Sequence, residues 1–201
     1  PINLYGATKL ASDKLFLSAN NIRGKKDVKF SVVRYGNVMN SRGSVIPFFL
    51  KCRNEGIFPI TDREMTRFNI TLEEGVAFVN KCIKLMVGGE LFVPKIPSIR
   101  IIDLAKAIDP NTKIKIIGIR PGEKIHEEMI TETDSLNTYE YKDYFVIASD
   151  FNLNNPGDFN LSKTLQLNGG KKCKRGFNYS SKNNMKFLSI SEIKKLIQTI
   201  K

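Results

Sequence analysis

LYGATKLASDKLFLSANNIRGKKDVKFSVVRYGN, residues 4–37, is the stretch from which the fold is read. A helix opens near Asn3 or Leu4 and continues to Asn20, with Leu10, Lys14, Leu15 and Leu17 at helical spacing. A loop containing Gly24 follows. Residues 29–34 (KFSVVR) are then a short β-branched run bounded by turn residues, the pattern of a buried strand. Helix followed by strand, repeated downstream, is the rhythm of an α/β fold with at least part of a parallel sheet.

Outward from this stretch, YGNVMNSRGS (35–44) is a polar, glycine-bearing loop with the composition of a site. A short helix is expected over 47–54, ended by Gly56. TLEE (71–74) is a capping box, and its helix is expected to run to about Met86, where Gly88 and Gly89 follow. Residues 90–94 read as a strand, 102–108 as a short helix and 113–119 as a strand. RPGEK (120–124) forms a loop expected to open a polar helix through Glu127 and Glu128. Residues 144–148 read as a strand, and the Asn-, Gly-, Lys- and Ser-rich stretch 149–184 as loop. A second capping box at 189–192 starts a last amphipathic helix, expected to reach about Ile200.

The 201 residues leave room for one or two domains, and the 41% hydrophobic and 26% charged content is that of a globular chain. No run approaches the roughly 18 apolar residues of a membrane span, and no signal-peptide pattern opens the chain. The expectation is a soluble, cytoplasmic protein without a membrane partner. Cys52, Cys82 and Cys173 are odd in number and far apart, which suits reduced thiols better than a disulfide framework or a metal site. The net charge is +12, but residues 171–201 hold nine basic side chains against Glu192 alone. The rest of the chain is only mildly basic, so a nucleotide phosphate is as good a partner as nucleic acid, which is not expected. The 14 glycines form neither G-x-G-x-x-G nor G-x-x-x-x-G-K-[ST], so a complete dinucleotide-binding or P-loop domain is not expected.

Tyr5 and Lys9 stand four apart on the first helix and share a face. An isolated phenol gives up its proton only near pH ~10, so a tyrosine base needs a neighbouring cation to stabilise the phenolate. Lys9 is placed to provide it, although Tyr and Lys at this spacing also occur in many helices by chance. His126 lacks the second histidine of a zinc helix and reads as a polar neighbour of the RPGEK loop. Ser41 and Ser44 have no nucleophile-elbow context. Phe48 and Phe49, and the apolar stripe over 72–86, read as core.

Together, YGATKLASDKLF, VVRYGNVMNSRGSVIPFF, EMTRFNITLEEGVAFV and IRPGEKIHEEMI resemble the extended short-chain dehydrogenase/reductase superfamily. Within it they are most similar to the inverting UDP-N-acetylglucosamine 4,6-dehydratases of pseudaminic acid and related surface-sugar pathways. The resemblance covers about residues 1–188. It implies the C-terminal part of a Rossmann-like NAD(P)-binding fold (1–40) and a small α/β substrate region (41–188) with segments returning to the first domain, then a C-terminal helix (189–201). It also implies a glycine-rich nucleotide-binding half and an Asp-Lys elimination pair before Pro1, so the chain is expected to be inactive and poorly soluble without that partner segment, and a homo-oligomer when complete.

By the same resemblance, Tyr5 takes the proton of the sugar 4-hydroxyl while C4 is oxidised by NADP, with NAD left open. Lys9 supports Tyr5 and binds the nicotinamide ribose, and the Tyr35-Gly36 backbone passes close to the cofactor. Asn37 contacts the substrate, and Arg67, Arg120 and Glu123 hold its UDP part. Two guanidinium forks suit a diphosphate and a carboxylate suits ribose hydroxyls, although each arginine also fits a surface ion pair. A related epimerase, a retaining dehydratase and a non-catalytic UDP-sugar-binding remnant are the alternatives.

Overall fold

The computed structural model describes residues 1–41, 43–149 and 160–199. The chain forms two compact units and passes repeatedly between them. The first comprises Pro1–Tyr35, Val76–Lys95 and Met129–Tyr179, and the second Gly36–Gly75, Ile96–Glu128 and Ser180–Lys201.

In the first unit the helix Leu4–Ile22 is capped by Asn3, whose side-chain oxygen accepts from Gly6 N at 2.7 Å. A five-stranded sheet runs Val32–Val33, Glu90–Pro94, Tyr144–Ala148, Thr138–Glu140, Lys171–Lys172. Only its first pair is parallel. The strand expected over 29–34 is short because regular pairing with Glu90–Pro94 covers Val32↔Leu91 and Val33↔Phe92. Cys82, Phe92, Tyr139, Val146, Leu161 and Leu165 form the core. Arg34 ties this sheet to the first helix, with Nη2 donating to Asp13 Oδ2 at 2.8 Å and Nη1 to the Met129 carbonyl at 2.7 Å. The buried Glu90 carboxylate accepts from Ser31 Oγ, Val87 N and Gly88 N at 2.6 to 2.8 Å, so its charge is matched by donors. Leu17 is the first helix's one buried residue, whereas Leu4, Leu15 and Ile22 are 79%, 70% and 86% exposed.

The second unit has a three-stranded sheet in the order Asn37–Val38, Thr66–Ile70, Ser98–Arg100, its first pair parallel and its second antiparallel. A separate parallel pair joins Ile57–Ile60 to Lys113–Ile116. The helix Val45–Cys52 passes through a 3-10 turn, Arg53–Glu55, and ends at Gly56 with φ +69°. It packs with Ile101–Ile108 and Ile190–Thr199 around Ile46, Phe49, Phe58, Leu104 and Ile193. The Phe49 and Phe58 rings stack at 4.9 Å.

Both capping boxes form. Thr71 N donates to Glu74 Oε2 at 2.9 Å and Glu74 N to Thr71 Oγ1 at 3.1 Å, opening the helix Leu72–Leu85. Ser189 and Glu192 do the same for Ile190–Thr199. Thr71→Ala is expected to cost about 1 kcal/mol, read as a lowered urea midpoint; an unchanged midpoint would show that the Thr71 cap does not contribute.

Three expectations are corrected. Residues 35–44 are not loop throughout, since Asn37–Val38 is a strand paired in parallel with Asn69 and Ile70. No helix follows RPGEK, because tertiary donors claim the carbonyls that a helix would use internally. Thr66 N and Arg67 Nη1 both donate to the Ile125 carbonyl, Arg67 Nη2 donates to that of Lys124, and the chain enters the strand Glu128–Ile130 instead. Nor is 149–184 loop throughout. The helix Leu161–Leu167 is capped by Asn160, whose Oδ1 accepts from Lys163 N at 2.8 Å, and Lys171–Lys172 and Tyr179–Ser180 are strands. Residues 150–159 of that expected loop, and Ile200, lie outside the described residues. Among the described residues no helix is long and apolar enough to cross a membrane.

Candidate functional site

In the first unit, one face of the Leu4–Ile22 helix carries both Tyr5 and Lys9. Tyr5 is 72% exposed, and Lys9 Nζ lies 5.4 Å from its ring centroid. A solvent-facing phenol beside an ammonium is chemically suited to proton transfer with a bound hydroxyl. Tyr35 closes this unit's first segment with its side chain exposed.

The second unit contains a cleft of about 520 Å³ that brings together four of the sequence candidates, Asn37, Arg67, Arg120 and Glu123. Its volume lies in the usual range for a small-molecule site. The first two candidates come from the strands Asn37–Val38 and Thr66–Ile70, and the other two from the turn that Pro121 and Gly122 allow. Glu123 Oε1 accepts from Thr61 Oγ1 at 3.0 Å and Oε2 from Arg120 N at 3.3 Å, so its carboxylate is fixed at the rim. The exposed Arg120 side chain is a second cation lining the same cleft.

Arg67 is held differently. Its Nη1 donates to the carbonyls of Thr66 and Ile125 at 2.7 and 3.0 Å, and its Nη2 to that of Lys124 at 2.9 Å. Its Nε lies 3.6 Å from Glu127 Oε1. This guanidinium therefore organises the RPGEK loop while contributing positive potential to the cleft wall.

Gly36 has a packing reason for lacking a side chain. A Cβ there would lie 2.4 Å from Phe68 Cβ. Asn37 next to it, with its amide nitrogen turned toward the neighbouring carboxylate, donates to Glu127 Oε1 at 2.9 Å and Oε2 at 3.1 Å.

Beneath the cleft wall lies a polar layer whose members are distant in sequence. Glu127 N donates to Ser181 Oγ at 2.9 Å, and Thr66 Oγ1 meets Ser181 Oγ at 2.7 Å and His126 Nδ1 at 2.8 Å. Burial pushes the Glu127 carboxyl above its ordinary range, against the opposing pull of Arg67, the Phe68 N–H and Lys124. Burial, with the Lys182 and Arg67 cations, pushes the His126 imidazole down despite Glu64 and Asp62, which leaves it neutral at pH 7.

Sequence reading did not single out Lys51, Thr61 or Glu127. The Phe48-Phe49 pair also divides: Phe49 is buried in the core, but Phe48 is 42% exposed and lines the cleft. Ser44 lines the cleft too, and its Oγ is buried without a hydrogen-bond partner among the described residues. No group of His, Cys, Asp and Glu among these residues is placed to hold a metal ion.

The family described as polysaccharide biosynthesis protein matches residues 1–149. The chain is 53% identical over 200 residues to an inverting UDP-N-acetylglucosamine 4,6-dehydratase of Campylobacter jejuni, a match covering 98% of this chain and 59% of that protein. It is 35% identical over 205 residues to a UDP-glucose 4-epimerase of Rickettsia conorii, covering 100% of this chain and 58% of the other. Among solved structures, that of Pen from Bacillus thuringiensis matches with a TM-score of 0.81 and 35% identity, covering 100% of this chain and 59% of the other. The chain thus spans about 59% of the length of such relatives. The α/β fold class and the resemblance carried by YGATK, RYGN, EMTRF and RPGEK are borne out, and the chain belongs to the polysaccharide biosynthesis protein family.

Proposed function

We propose that the chain supplies the Tyr-Lys pair and the sugar-nucleotide cleft of an NADP-dependent UDP-N-acetylglucosamine 4,6-dehydratase that inverts C5. The reading is carried by the 53% identity, across 98% of this chain, to a relative named for that activity. The cleft adds chemical support: the cations Lys51, Arg67 and Arg120 suit a diphosphate, and Glu123 suits ribose hydroxyls. The orphaned Ser44 hydroxyl suits a ligand oxygen in the same wall.

The first unit is, in this proposal, the closing part of a Rossmann-like nucleotide domain, and the second unit the substrate region. Tyr5 and Lys9 fit the edge of a nicotinamide site because both polar tips face solvent on one helix face. The chemistry that a bound NADP supplies, with NAD as the alternative, is a reversible hydride acceptor for oxidation at C4. Tyr5 takes the proton of the 4-hydroxyl, and Lys9 keeps a positive charge beside the forming phenolate and donates to the ribose. A 4-keto group acidifies the C5 proton, which makes loss of water across C5 and C6 accessible.

The acid–base pair for that elimination is assigned to an Asp-Lys pair on a segment preceding Tyr5. The same segment, a nucleotide-binding half, is the proposed cover for the exposed Leu4, Leu15, Phe16 and Ile22 on the first helix. The complete protein is proposed to be a cytoplasmic homo-oligomer.

The test is NMR analysis of products from UDP-N-acetylglucosamine and NADP, using this chain with and without the nucleotide-binding half as a separate polypeptide. A 4-keto-6-deoxy sugar with inverted C5, formed only when both pieces are present, is the expected result. A C4 epimer as the sole product would assign the epimerase reading that the Rickettsia relative also fits. No turnover by a folded two-piece complex would overturn the enzyme reading.

A further inference from the structure

Two side chains that line the second-unit cleft, Asn37 and Arg67, converge on one carboxylate that does not line it. The Asn37 amide donates to both Glu127 oxygens, at 2.9 and 3.1 Å, and Arg67 Nε lies 3.6 Å from Oε1. Phe68 N donates to Oε2 at 3.3 Å, and the Glu127 backbone is anchored in both directions on Ser181. Glu127 N donates to Ser181 Oγ at 2.9 Å, and Ser181 N donates to the Glu127 carbonyl at 2.8 Å. The carboxylate is therefore fixed in place from three segments of the chain, and the two cleft residues take their positions from it.

We infer that Glu127 is a positioning residue, which holds the Asn37 amide and the Arg67 guanidinium in register beneath the sugar-nucleotide cleft. The inference deepens the proposed function and rests on it for the identity of the ligand, although the Asn37–Glu127 contact itself does not depend on any ligand.

An ionised carboxylate serves this purpose better than a neutral amide. Asn37 offers only N–H donors on this side and Arg67 only positive charge, so both need an acceptor. A glutamine could turn one oxygen to one of them, but its own NH2 would then face the other donor. The groups facing Glu127 are the Arg67 cation on its strand, the Phe68 N–H, Lys124 on the loop, Asn37, and the hydroxyl of Ser181; His126 beside it is neutral at pH 7.

The arrangement has a cost that separates positioning from a purely structural role. Because burial raises the carboxyl's folded value, the stability linked to its protonation is fully present below the ordinary carboxylate range. That stability is lost as pH rises through the raised value, so at neutral pH the charged Glu127 costs stability. Glu127→Gln removes this charge, and is expected to leave the melting temperature at pH 7 unchanged or higher while cleft function falls.

The experiment compares wild type, Glu127→Gln, Asn37→Ala and the double variant of the full chain. It reads UDP-N-acetylglucosamine affinity by calorimetry and, without ligand, the exchange of the Asn37 side-chain amide protons by NMR. Glu127→Gln is expected to bind about tenfold more weakly, the equivalent of losing one charge-assisted hydrogen bond. Combined with Asn37→Ala, it should weaken binding by less than the product of the two single losses, since part of the effect of Glu127 passes through that amide. The Asn37 amide protons should exchange faster in Glu127→Gln than in wild type. Where Glu127→Gln does not fold, Glu127→Asp carries the same comparison with the charge kept and the reach shortened.

Unchanged Asn37 exchange in Glu127→Gln, or fully multiplicative losses of affinity, would overturn the inference. Wild type that shows the exchange effect but does not bind UDP-N-acetylglucosamine would instead support positioning and count against the proposed function.

Discussion

Tyr5→Phe should lower dehydratase turnover in the complex with the nucleotide-binding half by about a thousandfold, the middle of the range for removing a general acid or base. The substitution deletes one oxygen from a side chain that is 72% exposed, so folding has little to lose by it. The ring remains, and with it the surface over which Lys9 Nζ sits at 5.4 Å. What disappears is the group that accepts the proton of the sugar 4-hydroxyl in the proposed mechanism. The loss should therefore fall on kcat, with KM for the sugar nucleotide unchanged, because the cleft lies wholly in residues of the second unit. Steady-state kinetics by product NMR separates the outcomes. Wild-type turnover by the Tyr5→Phe complex would move the base elsewhere, and a rise in KM at constant kcat would make Tyr5 a binding residue.

How far the sequence reveals such a site depends on whether the governing interactions are local. The strands Glu90–Pro94 and Tyr144–Ala148 were readable because each is a compact apolar run with clear boundaries. Both capping boxes were readable because the donor and acceptor stand three residues apart in the chain. Arg67, Arg120 and Glu123 could be named from the motifs EMTRF and RPGEK, and they do line one cleft.

The 124–128 stretch resisted for the opposite reason. Its polar pattern suits a helix, but its carbonyls are taken by Thr66 and Arg67, some sixty residues earlier. Glu127 was hidden for the same cause, since its partners Asn37, Phe68 and Ser181 come from three remote segments. The helix Leu161–Leu167 lay within an Asn- and Lys-rich stretch, and Asn160 was the local signal that could have marked its start. Phe48 and Phe49 show the limit of adjacency: neighbours on a helix lie about 100° apart, so one enters the core and the other lines the cleft.

Gly36→Ala should destabilise the second unit by about 2 kcal/mol, within the range for forcing an extra methyl into a packed interior. The new Cβ would lie 2.4 Å from Phe68 Cβ, and 3.2 Å from both the Phe68 carbonyl carbon and Ile96 Cδ1. Phe68 is 0% exposed and belongs to the middle strand of its sheet, paired on one side with Asn37–Val38 and on the other with Ser98–Arg100. It has little freedom to withdraw, so the Gly36 backbone must move instead. That movement displaces Asn37, which pairs in register with Asn69 and sends its amide to Glu127. Sugar-nucleotide affinity should fall together with the thermal midpoint. Close approach of this glycine to a cofactor and close approach to Phe68 make different predictions for Gly36→Ala. If packing requires the glycine, the thermal midpoint of Gly36→Ala falls whether or not a cofactor is bound. If Gly36→Ala melts like wild type and loses only cofactor-dependent turnover, the packing explanation fails and the cofactor approach explains the glycine.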